Sequence, residues 1–203
     1  MKKNQHTIFS IPSDVLYSNE LCNYNDAWTH QITTDQHEIN DWLIPNLNKQ
    51  DKILFVGTGD SSLALKSHDL VNCIDGITII RSEFDLGVNC NLPNYHMFCL
   101  DKHSKDILDL TNKYTYIIDN NLTSYAKDIE SFMRMLNNYL ILLEDHGKII
   151  SNIAGLSYIY QGSETGINSL NSFIEVLQNF IKIYPHNIKL DVETDTIFSI
   201  SLC

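Results

Sequence analysis

No run of lysine or arginine longer than the Lys2-Lys3 pair occurs in this sequence of 203 residues. The 14 basic residues are outnumbered by 25 acidic ones, a formal net charge of −11. A polyanion would therefore meet repulsion with no local basic patch to offset it, and on charge alone nucleic acid is excluded as a partner. No apolar run approaches the roughly 20 residues needed to cross a bilayer, and Met1, Lys2 and Lys3 lead into polar residues rather than the apolar core of a signal peptide. A cytoplasmic protein with no membrane partner is expected. The cysteines Cys22, Cys73, Cys90, Cys99 and Cys203 are odd in number, scattered and never spaced Cys-x-x-Cys. That excludes a disulfide framework and leaves reduced thiols, with no metal site expected. Asn121-Leu-Thr123 matches a glycosylation sequon, which in a cytoplasmic chain is a chance match.

What is present is organised around Ile53 to Ser62. Four apolar residues predict a short buried strand; Gly57 and Gly59 then permit a tight turn with exposed backbone amides, and Asp60, Ser61 and Ser62 are good starters for a helix over Leu63–His68. Upstream, residues 1–34 are polar with Tyr17, Tyr24 and Trp28 interspersed, and read as an arm or lid. Ile39, Trp42, Leu43 and Leu47 predict a helix capped by Thr34 or Asp35 and bent or ended at Pro45.

Downstream, Ile74-Asp-Gly76 reads as a turn into a second strand, Ile77–Ile80, followed by an irregular stretch from Ser82 to Tyr95. A third strand, His96–Leu100, ends in Asp101, and a fourth, Tyr114–Ile118, ends in Asp119 after a short helix over Ser104–Leu110. A long amphipathic helix is predicted between Ser124 and Glu144, stopped at Asp145-His-Gly147 with Gly147 as its left-handed cap. Strand five, Lys148–Ile153, is followed by a second amphipathic helix carrying Leu170 to Ile181. Two final strands, Ile188–Val192 and Thr196–Leu202, are close enough to form an antiparallel hairpin.

Strands alternating with helices predict an α/β fold over residues 35–203: a doubly wound, mostly parallel seven-stranded sheet with a C-terminal antiparallel hairpin. Its ligand would lie at the carboxyl ends of the strands. Asp101 and Asp119 each stand directly after an apolar strand, where a carboxylate either faces a ligand or caps a helix.

With these elements in this order, residues 35–203 resemble the class I S-adenosylmethionine-dependent methyltransferases. The resemblance rests on Phe55-Val-Gly-Thr-Gly-Asp-Ser-Ser62, Asp101, Tyr116–Asp119 and the helix-to-strand step Leu143–Ile150. It implies a Rossmann-like domain binding S-adenosylmethionine, with Gly57, Thr58, Gly59, Asp60 and Ser61 as the cofactor turn. Glu83, then Asp85, would hold the ribose hydroxyls, Asp101 the adenine amino group, and Asp119 the methionine amino group or the methyl acceptor. Candidate bases are His30, His37 and Asp119, while Tyr24 and Trp28 either face the sulfonium or pack the arm. Charge and size point to a small-molecule acceptor: a sugar, a phosphorylated metabolite or an amine.

Two alternatives stay open. Phe55 stands where an acid is common in that family, Ser61 stands where a third small residue belongs, and Glu83 follows Gly57 by 26 positions, against about 20 in dinucleotide folds. A binding or regulatory protein without catalysis would show these features. A nicotinamide-dependent oxidoreductase would share the glycine turn, but its third glycine would fall at Ser62 and no Tyr-x-x-x-Lys pair follows strand four.

Overall fold

The computed structural model describes residues 32–157, 165–184 and 186–203. Tyr17, Tyr24, Trp28, His30 and the rest of the expected arm before Ile32 lie outside the described residues. Helix α1, Thr34–Leu43, begins where the Thr33 amide donates to Gln36 Oε1 at 3.0 Å. It gives way to a 3-10 turn, Ile44–Asn46, that contains Pro45, because a proline in the helix interior removes a donor and clashes with the preceding turn. The cap is thus one residue earlier than expected.

Seven strands follow: β1 Lys52–Val56, β2 Cys73–Thr78, β3 Tyr95–Cys99, β4 Tyr114–Asp119, β5 Leu143–Asn152, β6 Ile188–Val192 and β7 Ile197–Leu202. They form one sheet in the order β3-β2-β1-β4-β5-β7-β6. The first five pair in parallel, and β7 lies antiparallel between β5 and β6. The expected hairpin is present, with its second strand inserted against β5. The chain runs outward from β1 in both directions, so the crevice beyond the β1 carboxyl end is where such sheets bind ligands.

Alternation along β1 shows how the sheet is covered. Leu54 and Val56 join a core with Phe132, Leu136, Phe173 and Phe180, from helices α4 (Ile129–Leu142) and α5 (Leu170–Ile183). Ile53 and Phe55 join a second core with Ile39, Leu43, Leu63 and Phe84, from α1, α2 (Ser62–Ser67) and α3 (Arg81–Asn89). A period of two sends successive side chains to opposite faces, which is why an unbroken apolar strand needs both cores. Phe173 binds the first core together, edge-on to Phe132 at 6.1 Å and tilted against Phe198 at 5.3 Å.

Several expected boundaries move, each for a packing reason. β2 starts at Cys73 and Gly76 lies inside it, not in a turn: a Cβ there would stand 2.6 Å from Met97 Sδ and 2.8 Å from the Tyr95 ring. The stretch after Ser82 is helix α3, and Gly87 within it faces the same thioether, 2.5 Å from where its Cβ would be. Those glycines make room for Met97 rather than breaking structure. Helix α4 starts at Ile129, capped by Asp128, which accepts from the Ser131 amide at 2.8 Å. It passes directly into β5, where the left-handed residue is His146 (φ 66°) and not Gly147.

Candidate active site

The carboxyl ends of β1 to β4 surround a cleft that opens to solvent. Gly57 and Gly59 line it from β1, Thr78 to Ile80 and Glu83 from β2 and the start of α3, Asp101 and Lys102 from β3, and Asp119 to Asn121 from β4. Gln36 of α1 and Tyr125 complete the wall.

At the turn, Gly57, Gly59 and Ser61 all take left-handed backbone angles, with φ of 67°, 52° and 62°. Glycine adopts these freely, whereas serine is strained by about 1 kcal/mol. A Cβ on Gly57 would meet nothing within 4 Å, and one on Gly59 only Gln36 Nε2 at 3.8 Å, so the backbone faces open space into which a ligand fits. Ser61 turns inward instead: it is fully buried, with Oγ 3.1 Å from the Tyr95 hydroxyl. Thr58 and Asp60 line a smaller neighbouring hollow, and Asp60 Oδ1 accepts from the Ser62 amide at 2.9 Å. Of the expected cofactor turn, the structure brings only the two glycines into the main cleft.

Glu83 reaches the cleft from the first turn of α3. It is 3 % exposed, and its Oε2 accepts from Thr78 Oγ1 at 2.7 Å, which in turn accepts from the Ile80 amide at 3.1 Å. The acid comes late in the sequence because it stands in the first turn of α3 and not at the end of β2, and the Thr78 hydroxyl ties it back to the strand. Asp85 is half exposed and paired with Arg81 at 3.0 Å, away from the cleft. Asp101 is buried, with Oδ1 accepting from the His103 amide at 2.9 Å. His37 is exposed on α1 and does not line the cleft; His30 lies outside the described residues.

Asp119 is held more tightly than the sequence implies. Its Oδ2 accepts from Lys102 Nζ at 2.9 Å and from the Tyr139 hydroxyl at 2.8 Å. The Lys102 ammonium also donates to Asn121 O at 2.8 Å, Ser124 Oγ at 3.1 Å and Leu122 O at 3.3 Å. Burial first, and the Asp119 charge second, push the Tyr139 hydroxyl well above the ordinary tyrosine value, so it stays protonated and donates. Beside it, burial and then the Lys102 charge push His103 down to about 3. The imidazole is neutral near pH 7, and its Nε2 lies 3.0 Å from Ser124 O. Lys102 and His103 together fasten the segment after β4 to the exit of β3. Neither residue stands out in the sequence, where an Asp-Lys-His triplet after a strand reads as a solvated turn.

No family model matches the sequence, and no curated protein matches it either. Solved structures do. An rRNA methylase from Streptococcus thermophilus is similar over 85% of this chain and 98% of its own, with a TM-score of 0.54 and 11% identity. The N-methyltransferase NodS from Bradyrhizobium japonicum WM9, in complex with S-adenosyl-L-homocysteine, covers 89% of this chain and 93% of its own at a TM-score of 0.60 and 10% identity. The chain has the class I methyltransferase fold. The methyltransferase fold also serves other chemistry, as in the [4+2]-cyclase SpnF, which covers 76% of this chain and 57% of its own at a TM-score of 0.55 and 17% identity.

One expectation is overturned here. Net charge excluded nucleic acid as a partner, yet an rRNA methylase is among the structures that share this fold. Net charge is a sum over the whole chain and does not report the surface that meets an acceptor. Among the described residues, no helix is long and apolar enough to cross a membrane.

Proposed function

We propose that this chain binds S-adenosylmethionine in the cleft and catalyses transfer of its methyl group. The observation that carries the reading is the lining itself: an open glycine backbone following β1, and one buried carboxylate each beyond β2, beyond β3 and at the last residue of β4. In this reading the backbone at Gly57 and Gly59 receives the methionine part, Glu83 the ribose hydroxyls, and Asp101 the adenine amino group. The cofactor supplies an already activated methyl group, so the protein's task is alignment and exclusion of water. Asp119, whose Oδ2 is already engaged by two donors, fits an orienting role near the methionine amino group better than that of a free base. Any base needed by the acceptor falls to another residue, with His30 of the arm as the candidate. A doubly wound architecture and a cytoplasmic location belong to the same reading.

Charge separates this reading from a nicotinamide enzyme. Glu83, Asp101 and Asp119 against Lys102 leave the lining with a formal charge of −2, which favours a sulfonium and an amine and opposes a diphosphate. A catalytically silent binding protein is the second reading, favoured by Phe55. It is 6 % exposed in the second core and offers no carboxylate at a position where the family commonly has one.

Calorimetric titration of the purified chain with S-adenosylmethionine, S-adenosylhomocysteine and NAD tests the proposal. Saturable binding of the two sulfur ligands and none of NAD is expected. Transfer of a labelled methyl group is then assayed with amines, sugars, phosphorylated metabolites, ribosomal RNA and protein as acceptors. Failure of both sulfur ligands to bind overturns the reading, and binding without transfer to any acceptor class assigns the silent one.

A further inference from the structure

At the amino end of the sheet, away from the cleft, three side chains converge that methyl transfer does not use. Cys73 and Asp75 are two residues apart on β2 and share a face, and His96 is the register partner of Asp75 on β3. Cys73 Sγ lies 3.5 Å from both Asp75 Oδ1 and His96 Nδ1, and those two atoms are 3.0 Å apart. The second oxygen of Asp75 is clamped separately, accepting from the Tyr114 hydroxyl at 2.7 Å and from Asn112 Nδ2 at 2.8 Å.

We propose that Cys73, Asp75 and His96 form a zinc site. Tetrahedral zinc with a bond of about 2.3 Å to sulfur and about 2.0–2.1 Å to nitrogen and oxygen sets the ligand atoms roughly 3.6 Å (S to N), 3.5 Å (S to O) and 3.3 Å (N to O) apart. The triangle present here needs only a few tenths of an ångström of adjustment. Half of the His96 side chain is exposed, leaving an entry path and a fourth position for water. A ligating carboxylate whose outer oxygen is fixed by hydrogen bonds is how proteins orient such a group. Burial alone would raise the Asp75 carboxyl, but hydrogen bonds from His96, Asn112 and Tyr114 bring it below its ordinary value, so it stands ready as an anion. The Cys73 thiol is pushed up to about 12 by burial and then by the Asp75 charge; a divalent cation between them reverses that effect. On binding, the S–H bond breaks, a Zn–S bond forms and the proton leaves to solvent. Thr78 at the cleft lies three positions beyond Asp75 on β2, about 10 Å at the rise of a strand. The ion would pin β2 to β3 rather than reach the reacting groups.

Two hydrogen bonds, from the thiol and from the imidazole to Asp75, account for the same distances without a metal, and cobalt separates the two cases. The full chain, stripped with a chelator, is titrated with Co2+ and then with Zn2+. One equivalent of cobalt is expected to give a thiolate-to-cobalt charge-transfer band that zinc abolishes, and the chain should melt at a higher temperature in zinc than in chelator. Cys73→Ser should lose the band, while Cys203→Ser keeps it. His96→Gln, at a half-exposed position, removes a direct ligand and should weaken zinc binding by more than the roughly 10- to 100-fold that loss of an outer-shell partner costs. Absence of the band, its persistence in Cys73→Ser, or unchanged zinc affinity in His96→Gln would each overturn the site.

Discussion

Lys102 Nζ lies 2.9 Å from Asp119 Oδ2, and both side chains are more than nine-tenths buried. A charge pair so far from water is held by what surrounds it: Tyr139 on the carboxylate side, and three further oxygens on the ammonium side. Breaking such a pair from one side costs far more than removing it whole. Lys102→Met should destabilise the protein by about 3–5 kcal/mol in urea denaturation, and the double variant Lys102→Met with Asp119→Asn by clearly less. Equal losses in the two would mean that the pair is not what fixes the segment after β4.

Glu83→Gln keeps the shape of the side chain and a partner for Thr78 but removes its charge. If this carboxylate holds the ribose, affinity for S-adenosylhomocysteine should fall roughly 10- to 100-fold, the 1.5–3 kcal/mol of a hydrogen bond to a charged group. Asp85→Asn, two residues on but turned to the surface with Arg81, should leave that affinity unchanged. Calorimetry on the two variants side by side distinguishes a ligand contact from a general loss of negative charge.

At Gly59 the backbone angle of +52° is one that β-branched residues avoid. Gly59→Val should abolish cofactor binding, with the far-ultraviolet circular dichroism spectrum of the folded chain retained. Wild-type affinity in this variant would remove the glycine turn from the site.

His103 gives the protein a pH dependence of known sign. Its folded value of about 3 lies below the ordinary 6.5, so between those values the unfolded chain binds a proton that the folded chain does not. Stability is therefore full above about pH 6.5 and falls as the solution is acidified, with a slope of up to about 1.4 kcal/mol per unit. In His103→Gln, stability measured between about pH 6.5 and 5 should flatten by about one proton. A slope equal to the wild type's would show that the imidazole is charged in the fold.

Met97 links two glycines that are 11 positions apart. Gly76→Ala should cost about 1–3 kcal/mol, the usual range for overpacking, because the new methyl meets Met97 Sδ, the Tyr95 ring and Thr58 Cγ2 within 3 Å. In a Met97→Ala background the same substitution should cost measurably less, since the nearest of those atoms is gone. Thermal melts of the four combinations give the coupling.

The order of strands and helices was legible because each strand holds a short apolar or alternating stretch bounded by polar residues and each long helix carries one apolar face. Gly57 and Gly59 announced the cleft, and Asp101 and Asp119 its floor, by standing at strand ends. Local cues failed where packing overrode them. Gly76 reads as part of a turn and the stretch that holds Gly87 as irregular, although what both glycines accommodate is a methionine on a strand that follows them. Ser61 was counted with the cofactor turn, but its hydroxyl serves Tyr95. Lys102, Tyr139 and Thr78 carried no signal, because burial of a polar side chain depends on partners remote in sequence. The same holds for Cys73, Asp75 and His96: a separation of 21 positions between Asp75 and His96 hides a register pair that only the sheet brings together.

Strand β7 follows β6 in the chain yet sits between β6 and β5. During synthesis, Ile188–Val192 therefore emerges with no strand to join, and the backbone donors and acceptors along Lys148–Asn152 stay bare on their outer side until Ile197–Leu202 arrives. For that interval the nascent chain carries an open sheet edge of the kind that recruits foreign strands. Slow translation across residues 188–202 should accordingly increase the demand for chaperones without changing the stability of the finished protein.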